Sequence, residues 1–257
     1  MGVLISSLKG TENGKVRMFI RNFGKFVCLY GIWESSYICT EFKGPGMVKH
    51  PLHAVLTGDI VNSTQLPPMV EVILLDRLKR TFSNYITEFY RGDSFQIYMR
   101  DPVGSLRVAL LARSMAIGLN EAEEEPALTD IRISIGIGPV VLPVKTPGTA
   151  RGEAFLLSGR GLDNIQHTER RLSMVCDRPI ADIGLQVMAD YLDAIYRGMT
   201  AKQAAAIVWL LEGATQQEVV VKLSKSKSTV SQLVTSGRWA EIERLLQQFE
   251  NLIKQLQ

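Results

Sequence analysis

Two carboxylates and one basic run are the residues whose types and spacing could do chemistry. Asp59 stands at the end of a β-rich stretch, in TGDIVNS, and Asp93 stands in a Gly-Asp turn, in YRGDSFQ. A hard cation such as Mg²⁺ or Mn²⁺ takes one or two carboxylates and leaves room for substrate phosphates, so a converging Asp pair could hold a metal–nucleotide complex. Near the other end of the chain, Lys222, Lys225, Lys227 and Arg238 fall between Val219 and Trp239 with no acidic residue among them. Lysine and arginine there could take DNA phosphates, while Ser228, Thr229, Ser231 and Gln232 are of the types that reach base edges. Asp also favours chain reversals for purely local reasons, and a basic three-helix unit can equally bind protein.

The elements that must position these residues follow from periodicity. His53–Ile60 reads as a buried strand, and Pro67–Pro68 opens a helix with Val70, Ile73, Leu74, Leu78, Phe82 and Ile86 at helical spacing. Residues 87–91 and 94–100 form a hairpin around the Gly-Asp turn, and residues 103–119 a second helix. A strand at Ile131–Gly138, a helix at Arg151–Gln166 and a strand at Leu172–Cys176 complete the domain. The order β-α-β-β-α-β, then helix and strand, places residues 47–180 in the α+β class with a ferredoxin-like topology, a single sheet under two helices.

Residues 181–199 read as a helical connector and 200–257 as an all-α helix-turn-helix domain. Thr200 and Thr215 are N-caps, Gly213 ends a helix, and Ser224-Lys225-Ser226 turns into the helix that would enter a major groove. The last helix carries Trp239, Ile242, Leu245, Leu246, Phe249, Leu252, Ile253 and Leu256 at near-heptad spacing, a candidate homodimer seam with packing on its own domain as the alternative. Residues 1–46, with short strands at Lys15–Arg21 and Phe26–Ile32, form an extension to which no role attaches.

Composition narrows the classes. With 257 residues, 46% hydrophobic, and a formal charge of only +3, the chain can bury a core of its own, and any nucleic-acid role must rest on where charge sits. The three cysteines and three histidines lack zinc or redox spacing, which suits a reduced, cytoplasmic protein. No stretch has the length of a membrane span or the pattern of a secretory signal, though Gly2 with Ser6 fits an N-myristoylation pattern.

Four short motifs in order, GDIVNS at 58–63, GDSFQ at 92–96, RISIGIG at 132–138 and RGEAFLLSGRGLD at 151–163, resemble the class III nucleotidyl cyclase domain and, more closely, SatD-type proteins that share its core. The resemblance spans residues 52–177. It implies that Asp59, Asp93 and the Ile60 carbonyl bind metal, and that Gly58, Gly92 and Arg160 lie at the nucleotide, with Arg160 as the catalytic arginine. The chain departs from that pattern in two places: Phe89 or a neighbour stands where the purine-reading lysine is expected, and Leu156 stands where the catalytic asparagine is expected. Losing a donor aimed at developing charge costs on the order of 10²–10³ in rate. The SKSKSTVSQLVTSGRW segment likewise resembles recognition regions of helix-turn-helix regulators, including tails attached to SatD-type domains. The expectation is a DNA-binding transcriptional regulator that senses a nucleotide or phosphorylated small molecule with a divalent metal. The alternatives are a metal-dependent nucleotidyl cyclase or other nucleotide-processing enzyme regulated or localised by its helix-turn-helix, and an adaptor that binds neither ligand nor DNA.

Overall fold

A computed structural model describes residues 11–12, 15–22, 25–32, 50–90, 92–120 and 129–257. Gly2, Met47, Arg91 and the acidic run Glu121–Glu125 lie outside the described residues. The chain divides into two compact units, Met1–Val48 and Lys49–Gln257. The first contains an antiparallel sheet of β1 (Thr11–Glu12), β2 (Lys15–Asn22) and β3 (Lys25–Ile32), in that order.

The second unit is a mixed α+β body around a five-stranded sheet. Its strands are β4 (His53–Ile60), β5 (Ile86–Tyr90), β6 (Ser94–Met99), β7 (Ile131–Gly138) and β8 (Leu172–Cys176), in the spatial order β5-β6-β4-β7-β8. Neighbours are antiparallel except β7 and β8, which run parallel. Helices α1 (Pro68–Thr81), α2 (Ser105–Ile117), α3 (Glu153–Gln166) and α4 (Pro179–Arg197) are interleaved with these strands or follow them, and α5 (Ala201–Leu211), α6 (Gln216–Leu223), α7 (Lys227–Ser236) and α8 (Trp239–Leu256) complete the chain.

Alternation along the strands sorts residues onto two faces. Ala54, Leu56 and Ile60 of β4, Phe95 and Ile97 of β6, and Ile131, Ile133, Ile135 and Ile137 of β7 join one continuous core with α1, α2 and α4. The expected single covered face is corrected here: α3 lies on the other. Small residues make that possible. A Cβ on Gly136 would come within 2.3 Å of the Ala154 carbonyl oxygen, and one on Gly161 within 2.2 Å of the Ser134 hydroxyl. Thr57 and Ser158 hydroxyls meet at 2.9 Å across the same interface, and Gln96 donates to Thr57. This close approach fixes α3 against β4 and β7.

A second correction concerns the end of α1. The helical spacing runs on to Ile86, yet the helix stops at Thr81 and Ile86 begins β5. Phe82 caps the helix and is fully buried beside Phe89 and Phe95, so the turn is held by an aromatic cluster.

The helices after α4 share the sheet's core. Thr200 with Gln203, and Thr215 with Glu218, form reciprocal capping boxes that start α5 and α6. On α8, Trp239, Ile242, Leu245, Leu246, Phe249 and Ile253 are all buried in the same chain. The apolar face expected as a dimer seam is therefore occupied intramolecularly, because α2, α4 and α7 lie against it. Exposed apolar residues at helical spacing lie elsewhere, on α4 at Ile180, Ile183 and Val187 and on α1 at Met69, Val72 and Ile73.

Beneath α2 sits a buried ion network. Arg113, 1% exposed, donates to both oxygens of Asp130 at 3.1 and 2.6 Å and to Asp193 of α4 at 2.7 Å. Its guanidinium also lies 4.8 Å from the Tyr196 ring centroid. Removing one member of such a network strands an uncompensated charge, so Asp193→Ala is expected to lower unfolding stability by about 3–5 kcal/mol in urea titration. Replacing Arg113, Asp130 and Asp193 together with apolar residues should cost much less than the single change.

Candidate functional site

The two aspartates do come to one end of the sheet. Asp59 is the penultimate residue of β4, and the β5–β6 turn carries Asp93 after Gly92, whose φ of 88° is a conformation that suits glycine. The Ile60 N–H donates to the Asp93 carbonyl at 2.9 Å, tying turn to strand. In register, Asp59 lies opposite Ser94 on β6 and opposite Arg132 on β7.

That last pairing decides the electrostatics. Arg132 Nη1 donates to both Asp59 oxygens at 3.0 Å each, with both side chains more than four-fifths buried. On Asp93, one oxygen accepts from the Ser63 hydroxyl at 2.9 Å and the other from the Ser94 hydroxyl at 3.2 Å. Arg171 stands across from them, its Nη1 donating to the Thr168 and Arg170 carbonyls and its backbone N–H to Asp193. Asp59, Asp93, Ser94, Arg132 and Arg171, with Ile60, Asn62 and Gln166, line an open polar cavity of about 390 Å³. Burial raises the Asp59 carboxyl above its ordinary value, outweighing the opposing pull of Arg132, and Asp93 adds to the rise. Burial likewise lowers Arg171, and repulsion from Arg132 acts in the same direction.

Whether a divalent ion fits can be judged from these contacts. Mg²⁺ needs carboxylate oxygens turned toward the ion in near-ideal octahedral geometry. Asp59 turns both of its oxygens to a guanidinium held in place by strand register. As arranged, Asp59 is paired with Arg132 and is not turned toward a resident Mg²⁺ or Mn²⁺.

The remaining residues implied by the cyclase resemblance are scattered. Gly58 is buried within the sheet, where a Cβ would lie 2.8 Å from both the Phe95 ring and the Arg132 carbonyl oxygen, so its smallness serves packing. Arg160 is exposed on α3 and is not part of the cavity wall. Leu156 is half exposed on the same helix. Arg132, Gln166 and Arg171 escaped the sequence reading. One signal was available: Arg132 is the lone charge in the strand segment RISIGIG.

In the tail, α6 and α7 are joined by three residues, with Ser224 left-handed at φ 51° and the Ser226 hydroxyl accepting from the Thr229 N–H at 3.1 Å. Val230 and Val234 are buried, whereas Ser228, Ser231, Gln232 and Thr235 form an exposed polar face, with Thr229 half-buried beside it. Lys225 and Lys227 are exposed at the head of α7. Lys222 and Arg238 are placed differently. The Lys222 ammonium sits 4.1 Å from the Trp209 ring centroid, and Arg238 bonds the Tyr191 hydroxyl at 2.6 Å and Glu241 at 3.2 Å.

No protein-family model matches the chain, and no curated protein does. Solved structures give a weak structural similarity to adenylyl cyclases. Two chains of a bacterial light-regulated adenylyl cyclase align with TM-scores of 0.33 and 0.32, at 20% and 19% identity, each over 48% of this chain. The alignment spans 43% of the length of those cyclases.

In a carboxyl-carbon NMR titration, Asp59 should take its proton above the usual value of about 4 for Asp. Arg132→Met removes an attraction to the carboxylate and should move that midpoint higher still; a lower midpoint would contradict the pairing.

Proposed function

We propose that the protein is a DNA-binding transcriptional regulator. In this reading a ferredoxin-like, cyclase-type domain holds a nucleotide or another phosphorylated small molecule, and the helices from α5 onward form a helix-turn-helix unit that contacts duplex DNA. The observation that carries the DNA half is the α6–turn–α7 geometry: an eight-residue helix, three turn residues with Ser224 left-handed, and a ten-residue helix whose exposed face is Ser228, Ser231, Gln232 and Thr235. No acidic side chain stands on α7, and Lys225 and Lys227 flank its N-terminus, where free N–H groups favour phosphate. The strand order β5-β6-β4-β7, antiparallel throughout, supports the ferredoxin-like reading of the other half.

The division of labour among the basic residues differs from a simple reading of charge. Lys225 and Lys227 contact phosphates. Lys222 is engaged on Trp209, and Arg238 holds α8 to α4 through Tyr191. The alternative, a metal-dependent nucleotidyl cyclase, is weakened by the Arg132–Asp59 pair and by the exposure of Arg160 away from the cavity. A homodimer would place two α7 helices on adjacent half-sites, and the stripe Ile180, Ile183 and Val187 on α4 is the surface that supports one.

Fluorescence anisotropy with labelled duplex DNA tests the reading. Binding should weaken steeply with salt, and Lys225→Glu with Lys227→Glu should weaken it by at least about 10-fold and flatten the salt slope by about two phosphate contacts. Arg238→Ala should leave that slope unchanged. Unaltered binding in the double variant would remove the DNA assignment. Sedimentation tests the dimer separately: Ile183→Glu should convert it to monomer.

A further inference from the structure

We infer that the cavity at the end of β4 is a metal-independent oxyanion site, in which Arg132 is the resident cation and Arg132 and Arg171 together bind the ligand's phosphate. The inference rests on the proposal that this cavity takes a phosphorylated small molecule, and it specifies how.

The inventory of hydrogen-bonding groups carries the argument. Among the described residues, the ionisable side chains of the wall, Asp59, Asp93, Arg132 and Arg171, are formally balanced, so their charges favour neither a cation nor an anion. The acceptors, however, are already engaged. Each of the four carboxylate oxygens accepts a hydrogen bond: both Asp59 oxygens from Arg132, and the two Asp93 oxygens from Ser63 and Ser94. The donors are in surplus. A guanidinium has five N–H donors in a rigid fork. Arg132 uses only Nη1, which leaves its Nη2 N–H groups for a guest; its Nε also lacks a partner among the described residues but is closed to solvent. Arg171 likewise uses only Nη1, on two backbone carbonyls. A cavity whose carboxylate oxygens each already face a donor, and whose two guanidiniums have N–H groups to spare, favours an acceptor-rich guest over a bare cation, and a phosphate supplies up to four oxygens suited to that fork.

The arrangement is also preorganised. Strand register sets Arg132 opposite Asp59, and the Arg171 backbone is bonded to Asp193, itself part of the buried Arg113 network. The positions of both guanidiniums are therefore set by elements of the fold before any ligand arrives, and little side-chain ordering remains for binding. A volume of about 390 Å³ accommodates a phosphate together with a small organic group.

The test uses the full chain, freed of metal with EDTA, and inorganic phosphate and pyrophosphate as probes. Thermal melting should rise with either anion in EDTA, and added Mg²⁺ should not strengthen the effect. Calorimetric titration should show Arg171→Gln and Arg132→Gln each weakening the anion by at least about 10-fold. Arg132→Lys, which keeps the charge on Asp59, controls for misfolding and should melt near the parent while still losing affinity. Mn²⁺ alone, followed by its free-ion paramagnetic signal, should remain unbound. Anion binding that appears only with Mg²⁺, or Mn²⁺ bound by the parent and released by Asp59→Asn, would overturn the metal-free assignment and leave the phosphorylated-ligand reading standing. Binding indifferent to both arginine substitutions would place the anion elsewhere. No response to either anion, with or without Mg²⁺, would remove both readings.

Discussion

Burying the Arg113 charge is the constraint around which the second unit is arranged. A guanidinium on the inner side of α2 is tolerable only if carboxylates reach it, and they come from two directions: Asp130 at the start of β7 and Asp193 on α4. Each carboxylate does further work. Asp130 accepts from the Ile131 N–H and sends its carbonyl to Val61, joining β7 to the segment after β4. Asp193 uses its second oxygen to accept the Arg171 N–H. One buried charge thus links the core helices, the edge of the sheet and a wall of the candidate site.

Much of this architecture is legible from periodicity. The bounds of β4, β7 and β8 follow from short, largely apolar runs, and the helix starts at Thr200 and Thr215 follow from capping boxes written into four-residue patterns. Where the reading fails, tertiary contacts override local signals. Ile86 has helical spacing but belongs to β5, because Phe82 turns into an aromatic cluster that no local pattern announces. That α3 covers the reverse face depends on Gly136, Gly161 and Ser158, whose smallness becomes meaningful only when the opposing element is known.

The site was half legible for the same reason. Asp59 and Asp93 stand out because motif and turn context mark them. Arg132 does not, since its significance lies in a cross-strand partner 73 positions away. The same limit applies in the tail, where Lys222, Lys225, Lys227 and Arg238 look alike as charges. Only the fold separates the exposed pair at the head of α7 from Lys222, exposed but lying over Trp209, and from Arg238, clasped by Tyr191 and Glu241.

The burial of α8 bears on portability. Six of its large apolar side chains lie in a core that also contains Leu56, Ile133 and Leu192, so the recognition helix and the sheet share one interior. A natural truncation before Trp239, or a graft of residues 200–257 onto another protein, would open that interior on both sides of the cut. The DNA-facing segment is therefore not an interchangeable cassette, and it and the sheet form one inheritable unit.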